Sequence, residues 1–134
     1  MIENRSVPNA TVIPLVAYPD VVEATDWLCD AFGFEVRLRI GSHRAQLVFG
    51  DGAVIVTQSA EAPTPQSIHV RVKDAERHHR QAAQHGATIV MEPADYPFGE
   101  RQYTAEDPGG HRWTFSESTS DVDPASWGAT SINI

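Results

Sequence analysis

Imidazole and guanidinium groups lie two residues apart in the segment Ser67–Arg71, which is a place in the chain where chemistry could occur. The segment reads Ser-Ile-His-Val-Arg, so polar and apolar residues alternate as in a half-buried strand, and His69 and Arg71 share a face. An imidazole can bind a metal or act as a base, and a guanidinium binds anionic or hydrogen-bonding groups. The structural alternatives are a histidine hydrogen-bonded to a neighbour and an arginine paired with a surface carboxylate.

The strand after the turn Asp107–Gly110 is predicted to present a second polar row. Pro108 fixes one backbone angle, and the two glycines that follow permit the positive φ values of a tight reversal. Beyond the turn, polar and aromatic residues alternate, which is typical of a strand with one buried face. If Thr114 faces a ligand, so do Arg112 and Ser116, and the aromatic residues between them belong to the core.

The segment Tyr96–Tyr103 mixes aromatic residues with proline, glycine and charged side chains, and we predict a loop there. Tyr103 could stack on a ligand, and Glu100 or Arg101 could orient it. The alternative is a loop packed on a sheet, with Arg101 in a surface ion pair. Trp127, further along the chain, is predicted to close over a ligand-binding cavity or to pack against a partner subunit.

Three further histidines lie on one predicted helix and invite interpretation as a metal site. His78 and His79 are adjacent and diverge around the helix, while His78 and His85 are two turns apart, which is too far for one ion. We therefore predict that these side chains lie on a solvated helix face.

Composition and charge narrow the classes of protein to which the chain can belong. Its 134 residues fit one domain, predicted to span 1–134, and the net charge of -8 with ten scattered Lys and Arg residues argues against a nucleic-acid surface. The N-terminus lacks the apolar stretch of a signal peptide, and no run approaches the roughly 20 apolar residues of a membrane span. The sequence therefore predicts a cytoplasmic protein without nucleic-acid or membrane partners. The lone Cys29 excludes an intramolecular disulfide.

The predicted elements occur twice in the same order, a strand, a helix and three strands. Asp20 is predicted to cap the first helix and Gly33 to end it, and Asp74 and Gly86 repeat this arrangement 53 to 54 residues later. Landmarks at a near-constant offset indicate a duplicated βαβββ unit and an α+β fold. The predicted ranges are about 10–60 for the first unit, 66–118 for the second and 119–134 for a C-terminal tail.

Four features in this order resemble the vicinal oxygen chelate superfamily, which includes glyoxalase I, bleomycin resistance proteins and extradiol dioxygenases. They are a helix ending in Ala31-Phe32-Gly33-Phe34, a hairpin at Gly50-Asp51-Gly52, the histidine-containing strand 67–72 and the turn Asp107-Pro108-Gly109-Gly110. The resemblance spans roughly residues 10–118. It implies that each βαβββ unit curls into a partial barrel, and that two units form a concave site, often completed by a partner subunit.

The resemblance also implies a divalent-metal site with His or Glu ligands on the first, fourth, fifth and eighth strands. His69 occupies the fifth-strand position, but the eighth-strand position, four residues after the second glycine of the turn, holds Thr114 instead of the usual Glu. The first- and fourth-strand positions fall near Ile13 and Val56, where no His, Asp or Glu is found. One imidazole and one hydroxyl are too few donors for a transition metal, so no cofactor is predicted.

Carboxylates on the predicted seventh strand leave a divalent metal open as an alternative. Glu100 or Glu106 could supply missing ligands if either reaches the face of His69. Glu117 is three residues beyond Thr114 and is predicted to point to the opposite face of the strand.

We favour a protein that binds or sequesters a small, partly apolar molecule that can carry an anionic group, in a cavity of a homodimer. One alternative is a metal-dependent lyase, isomerase or dioxygenase with an altered ligand set; another is a metal-free enzyme with His69 as its base. The predicted ligand-binding residues are His69, Arg71, Glu100, Arg101, Tyr103, Arg112 and Thr114. In the first unit, Ile13, Leu15, Val54 and Val56 are predicted to face the cavity.

Overall fold

The computed structural model describes residues 2–133; Met1 and Ile134, which the predicted domain and tail include, lie outside the described residues. Two βαβββ halves follow each other along the chain. The first half contains β1 (Leu15–Tyr18), α1 (Val21–Phe32), β2 (Glu35–Ile40), β3 (Arg44–Phe49) and β4 (Gly52–Gln58). The second contains β5 (Ser67–Arg71), α2 (Ala75–Gln84), β6 (Thr88–Tyr96), β7 (Glu100–Glu106) and β8 (Arg112–Ser118), and a 3-10 helix follows at Pro124–Trp127.

Each half forms a four-stranded mixed sheet with the same internal order. Sheet A has the order β1-β4-β3-β2, and sheet B has the order β5-β8-β7-β6. In each sheet the first and last strands of the half are parallel and the other neighbours are antiparallel. The predicted α+β fold with tandem βαβββ units is confirmed, in the form of two separate sheets within the chain.

Side chains and glycine set the ends of the helices. The Asp20 carboxylate accepts a hydrogen bond from the Glu23 N–H, and the Asp74 carboxylate accepts one from the Arg77 N–H, both at 3.0 Å. Gly33 ends α1 with a φ of +84°, which glycine adopts without the steric cost of a side chain. Neither helix in residues 2–133 has the length and apolar character needed to cross a lipid bilayer.

An aromatic core lies between the helices and the sheets. Phe32, at the end of α1, packs against Trp113 and Phe115 of β8 with ring centroids 5.7 and 4.7 Å apart. All three rings are fully buried, as are Leu28 of α1 and Leu47 of β3. Trp113 and Phe115 are therefore core residues, as the alternation along β8 predicts.

The turn before β8 ties the second half of the chain to the first. The buried Asp107 carboxylate accepts hydrogen bonds from the Tyr18 hydroxyl at 2.5 Å and from the Trp113 indole N–H at 2.9 Å. It also accepts the backbone N–H groups of Gly109 and His111. A buried carboxylate needs such donors because burial without them costs several kcal/mol.

His111 forms a second link between the halves. Its side chain is fully buried, with Nε2 2.8 Å from the Ala17 carbonyl oxygen and Nδ1 3.0 Å from the Gln66 backbone N. The Gln66 N–H donates to Nδ1, so Nε2 carries the proton that is donated to Ala17, and the ring is the neutral tautomer.

The hairpin of β6 and β7 is longer than predicted. Most of Tyr96–Tyr103, predicted as a loop, belongs to the two strands, and only residues 97–99 lie outside them. Pro93 is accommodated because β6 is the edge strand of sheet B and its pairing with β7 shifts register between Met91 and Ala94. Proline and glycine therefore mark a bulge and a tight turn here instead of a long loop.

Candidate functional site

The face of sheet B turned away from α2, called here the open face, carries most of the predicted site residues. His69 of β5 is paired in register with Thr114 of β8, and Arg71 is paired with Ser116. Because Trp113 and Phe115 point into the core, the residues that alternate with them point to the open face. Arg112 lies on the same face, so the structure brings His69, Arg71, Arg112 and Thr114 together as predicted from strand alternation.

Glu100 lies at one end of this face, within a network of hydroxyl groups. Its carboxylate accepts a hydrogen bond from the Ser116 hydroxyl at 2.7 Å, and Ser116 in turn accepts from the Gln102 amide at 3.0 Å. The Arg71 guanidinium donates to the Ser118 hydroxyl at 3.0 Å. A carboxylate and a guanidinium are therefore held near each other by serine side chains.

The surroundings of Glu100 favour its charged form. Burial alone would raise the pKa of this carboxyl, but hydrogen bonds from Ser118 and Ser116 and the nearby charges of Arg71 and His69 outweigh that effect and lower the pKa. Glu100 is thus a carboxylate at neutral pH, and the open face presents both a positive and a negative group.

Two further contacts complete the polar face. The hydroxyls of Thr104 and Thr114 are hydrogen-bonded at 2.9 Å, so the Thr114 side chain is bonded to the neighbouring strand β7. Arg112 lies 3.8 Å from the Glu106 carboxylate, in a partly exposed ion pair between β8 and β7. Glu106 is therefore paired with Arg112, whereas Glu100 lies near the charges of Arg71 and His69.

Two predicted ligand-binding residues, Arg101 and Tyr103, lie on the other face of β7. Arg101 forms an ion pair with Asp95 at 2.7 Å, which is the surface alternative considered from the sequence. Tyr103 is buried in the core, with its hydroxyl bonded to the His78 ring. The prediction that they contact a ligand in the same cavity as Glu100 is wrong, because neighbouring residues in a strand point to opposite faces.

The predicted inward face of the first unit is also partly wrong. The register pairs Leu15 with Ile55 and Val16 with Val56, so Leu15 and Val56 point to opposite faces of sheet A. Val54 and Val56 are buried with Val16 in the core, while Leu15 is half exposed. A one-residue error in the family position reverses the assigned face of a strand. Ile13 lies before β1, outside the sheet.

The face of sheet A that is turned away from the core is partly covered by the N-terminal segment. The Arg37 guanidinium donates hydrogen bonds to the Gln46 amide oxygen and to the Arg5 carbonyl oxygen, both at 2.7 Å. The Gln46 amide donates to the Ser6 carbonyl oxygen at 2.9 Å. These bonds fix residues 5–6 against sheet A.

The side chains do not fit the metal site that the family resemblance implies. His69 is paired with Thr114, and Val56, near the predicted fourth-strand position, is buried in an apolar core. Within residues 2–133 no three His, Cys, Asp or Glu side chains come together as a group that could hold a metal ion. Glu117 points to the opposite face as predicted, where it accepts the Ala75 N–H at 2.9 Å.

A cleft of about 980 Å³ runs beside β5 and opens between the two halves of the chain. One wall comes from the first half, including Phe34, Phe49 and Val54, and the other from β5 and the start of α2. Its lining is apolar at Ile68 and Val70. The basic side chains of the lining are His69, Arg71, Lys73 and Arg77, and the acidic ones are Asp51 and Asp74. The cleft is large enough for a drug-sized molecule.

His78 lies inside the protein, and its prediction as a solvated helix residue is wrong. Its Nε2 is 2.7 Å from the Phe32 carbonyl oxygen and its Nδ1 is bonded to the Tyr103 hydroxyl. Burial lowers the pKa of His78, and the bond to Phe32 opposes this only in part. The signal was present in the sequence, because His78 follows Ala75 by three residues and precedes Ala82 by four, and both alanines are fully buried. His79 contacts Glu92 at 3.0 Å, and His85 is exposed.

Trp127 packs against the chain's own β6–β7 turn. Its ring centroid lies 5.2 Å from that of Phe98, which stacks in turn on Tyr96 at 5.4 Å. The tail is therefore held against the β6–β7 turn, and both positions predicted for Trp127, over the cavity or against a partner subunit, stay predictions.

Comparison with solved structures identifies relatives of the same fold. The chain is similar to TioX from Micromonospora sp. ML1, with 34% identity and a TM-score of 0.74, over 82% of this chain and 99% of that chain. A bleomycin-binding protein from bleomycin-producing Streptomyces verticillus, solved with copper(II)-bleomycin, has 21% identity and a TM-score of 0.63. That match covers 83% of this chain and 98% of that one, and at this identity it concerns the fold alone.

Sequence relatives and a family model complete the comparison. Uncharacterised proteins of Mycobacterium bovis and Mycobacterium tuberculosis are 31% identical to this chain over 71 residues, or 53% of its length. The match spans 47% and 42% of those two proteins, so it covers less than half of their length. The model of the Glyoxalase/Bleomycin resistance protein/Dioxygenase superfamily matches residues 11–115. The chain therefore belongs to the glyoxalase/bleomycin resistance protein/dioxygenase superfamily.

Proposed function

We propose that this protein binds a small, partly apolar molecule with an anionic group, and that His69 and Arg71 hold the anionic end. The observation that carries this proposal is the position of both residues, on the open face of sheet B and in the wall of the 980 Å³ cleft. A guanidinium and an imidazole supply charge-assisted hydrogen bonds to an anion, and the apolar wall supplies burial. A cytoplasmic location remains a prediction from the sequence.

The relatives support a binding function. One solved structure of this fold is that of a bleomycin-binding protein complexed with copper(II)-bleomycin. This chain lacks a family-type set of metal ligands in its described residues, and binding a small molecule requires none. We therefore place this protein with the members of the superfamily that bind a small molecule.

A homodimer is part of the proposal. Among residues 2–133 the backbones of β1 and β5 make no close contact with each other, although each is an edge strand of its sheet. Within residues 2–133, no strand of sheet A makes a close backbone contact with a strand of sheet B. Sheet A of a partner chain would close the cavity in the manner that the family resemblance implies.

The second candidate function is metal-free catalysis with His69 as the base. It is favoured by the negative charge of Glu100 near His69, since a carboxylate can orient and stabilise an imidazolium. The metal-dependent alternative has weaker support, because Glu106 is paired with Arg112. Calorimetric titration with Zn²⁺, Ni²⁺, Mn²⁺ and Fe²⁺ tests it, and stoichiometric micromolar binding lost in His69→Ala would contradict the metal-free proposal.

The anionic probe 2-naphthoate tests the binding function by isothermal titration calorimetry. We expect saturable binding at one site per chain, stronger than that of the neutral 2-naphthylmethanol. Arg71→Gln should weaken 2-naphthoate binding by about tenfold, which corresponds to loss of a charge-assisted hydrogen bond. Arg80→Gln is the matched control, since Arg80 is an exposed residue of α2 that does not line the cleft. Equal affinities in the two variants, or no saturable binding, would contradict the proposal.

A further inference from the structure

The face of sheet A that is turned away from the core, called here the outer face, carries a row of paired residues. Gln46 of β3 lies on this face, because its neighbours Ala45 and Leu47 are fully buried in the core. The register places Gln46 opposite Ile55 of β4, and Ile55 opposite Leu15 of β1. Residues that are paired across strands share a face, so these three side chains form one row across sheet A.

Sheet B carries the equivalent row on its open face. Thr104 of β7 is paired with Thr114 of β8, which is paired with His69 of β5. The strands β3, β4 and β1 hold the same places in sheet A as β7, β8 and β5 hold in sheet B. The outer face of sheet A is therefore the counterpart of the open face, and in the proposed homodimer it is the wall that a partner chain supplies to the cavity.

Residues 2–8, called here the N-terminal strap, lie on this outer face at Gln46. The Arg37 guanidinium of β2 donates hydrogen bonds to the Gln46 amide oxygen and to the Arg5 carbonyl oxygen, both at 2.7 Å. The Gln46 amide nitrogen donates to the Ser6 carbonyl oxygen at 2.9 Å. Gln46 is only 5% exposed. The strap thus supplies the acceptors for a pair of donors that points away from the core.

The strap has few contacts that would hold it in place. Residues 2–7 are all exposed, and Pro8 is the one buried residue of the strap. The Asn4 side-chain oxygen accepts the Ser6 N–H at 3.0 Å, which shapes the strap into a turn. Segments with little buried apolar surface open locally at a low free-energy cost. The strap can therefore leave the sheet while the core stays folded.

We propose that Arg37 and Gln46 are a second ligand-binding pair, which the strap occupies in the free protein and leaves when a ligand binds. A guanidinium forms a stronger hydrogen bond with a carboxylate than with a neutral carbonyl group, so a carboxylate can displace the strap. The inference rests on the proposed function and deepens it. The ligand then carries one anionic group toward His69 and Arg71 and a second toward Arg37 and Gln46. Its class is a partly apolar dianion.

Trypsin cleavage of the full chain after Arg5 tests whether the strap is displaced. The carbonyl group of the cleaved bond is the one that accepts from Arg37, so cleavage reports the population of the open strap. Naphthalene-2,6-dicarboxylate at saturation should speed this cleavage by about fivefold, because it binds the open form. The monoanion 2-naphthoate lacks the second carboxylate and should leave the rate nearly unchanged. Mass spectrometry measures the cleaved fraction.

A variant of the strap tests the competition without altering the binding pair. Asn4→Ala removes the acceptor of the Ser6 N–H and leaves Arg37 and Gln46 intact. It should strengthen binding of the dicarboxylate by about threefold in isothermal titration calorimetry, because a less stable strap is easier to displace. Asn9→Ala is the matched control, since Asn9 is an exposed residue just beyond the strap whose side chain forms none of these bonds.

Arg37→Gln tests the binding pair itself. It should weaken binding of the dicarboxylate by about tenfold and leave 2-naphthoate binding unchanged. An unchanged cleavage rate after Arg5 with the dicarboxylate, or equal dicarboxylate affinities in the Asn4 and Asn9 variants, would overturn the displacement of the strap. Equal dicarboxylate affinity in Arg37→Gln and the parent would overturn the binding pair. If 2-naphthoate still binds with its Arg71 dependence in these cases, the proposed function stands; if neither probe binds, both are overturned.

Discussion

At the scale of single residues, the site differs from a metal centre because the polar side chains around His69 already have hydrogen-bonding partners. Thr114 is bonded to Thr104, Ser116 joins Gln102 to Glu100, and Arg71 is bonded to Ser118. Such a row offers fixed donors and acceptors to a ligand. Two other residues, Thr25 and His78, allow the contribution of buried polar groups to the stability of this protein to be measured.

Thr25→Val should stabilise the protein. Thr25 is fully buried in α1, and within the described chain its hydroxyl has no hydrogen-bonding partner. Removing an unsatisfied polar group while keeping the side-chain shape should raise the free energy of unfolding by about 1 kcal/mol. Urea unfolding measures this change. Thr25→Ser keeps the hydroxyl and should destabilise, and a Thr25→Val variant no more stable than the parent would contradict the prediction.

His78 should make stability depend on pH. Burial lowers its pKa in the folded protein below the ordinary value of 6.5, so the unfolded chain binds a proton more readily. The stabilisation is therefore complete above about pH 6.5 and is lost as the pH falls toward the folded-state pKa. Thermal unfolding at pH 7 and pH 5 measures the difference. His78→Gln should reduce this pH dependence, whereas His85→Gln, which changes an exposed residue, should leave it unchanged. The same pH dependence in both variants would count against this role.

At the scale of elements, alternation along a strand predicts a face only where the two faces differ in polarity. On β5 and β8 they differ, and the faces of His69, Arg71 and Thr114 follow correctly. On β4 the run Ala-Val-Ile-Val is apolar on both faces, so the assigned faces depended on an uncertain position. The assignment of Val56 was wrong, whereas Val54 is buried but lines the cleft.

The error at Tyr103 and the unpredicted path of the tail have different physical causes. The polar and aromatic alternation of β7 could have placed Tyr103 in the core, but the Pro and Gly nearby led to a predicted loop. The path of the tail depends on contacts between Gly99 and Ser120, which no local pattern encodes. Capping residues and turn glycines predicted the helices well because those signals are local.

The turn at Gly109 should tolerate no side chain. A Cβ at Gly109 would lie 2.6 Å from the Tyr18 ring, and Tyr18 cannot readily move because it is buried and bonded to Asp107. Gly109→Ala should lower the free energy of unfolding by about 1–3 kcal/mol through overpacking. Gly52→Ala is the matched control, since its Cβ would approach only to 3.4 Å and neither glycine has a positive φ. Equal stability of the two variants in urea unfolding would contradict this steric explanation.

At the scale of the whole molecule, the two halves are joined through their helices and the Asp107 turn, with no strand pairing between the sheets in residues 2–133. This arrangement exposes the open face of sheet B and leaves apolar Leu15 half exposed on sheet A. A half-exposed apolar residue on the edge strand of sheet A is a suitable contact for a second copy of the chain. The subunit arrangement and the ligand site are thus linked in the proposed function.

Size-exclusion chromatography with light scattering should give twice the chain mass of 14.7 kDa, or about 29 kDa. Leu15→Lys should shift the protein toward the monomer, because burying an unpaired ammonium in an interface is unfavourable. Its matched control is Val22→Lys on the outer side of α1, which has a similar exposure of 41% against 49% for Leu15 and should leave the dimer intact. The Leu15 variant should also bind 2-naphthoate more weakly, because the wall supplied by the partner is lost. A parent protein that is a monomer at all concentrations, yet binds 2-naphthoate at full strength, would contradict the homodimer and show that the cleft between the two halves of one chain is enough for binding.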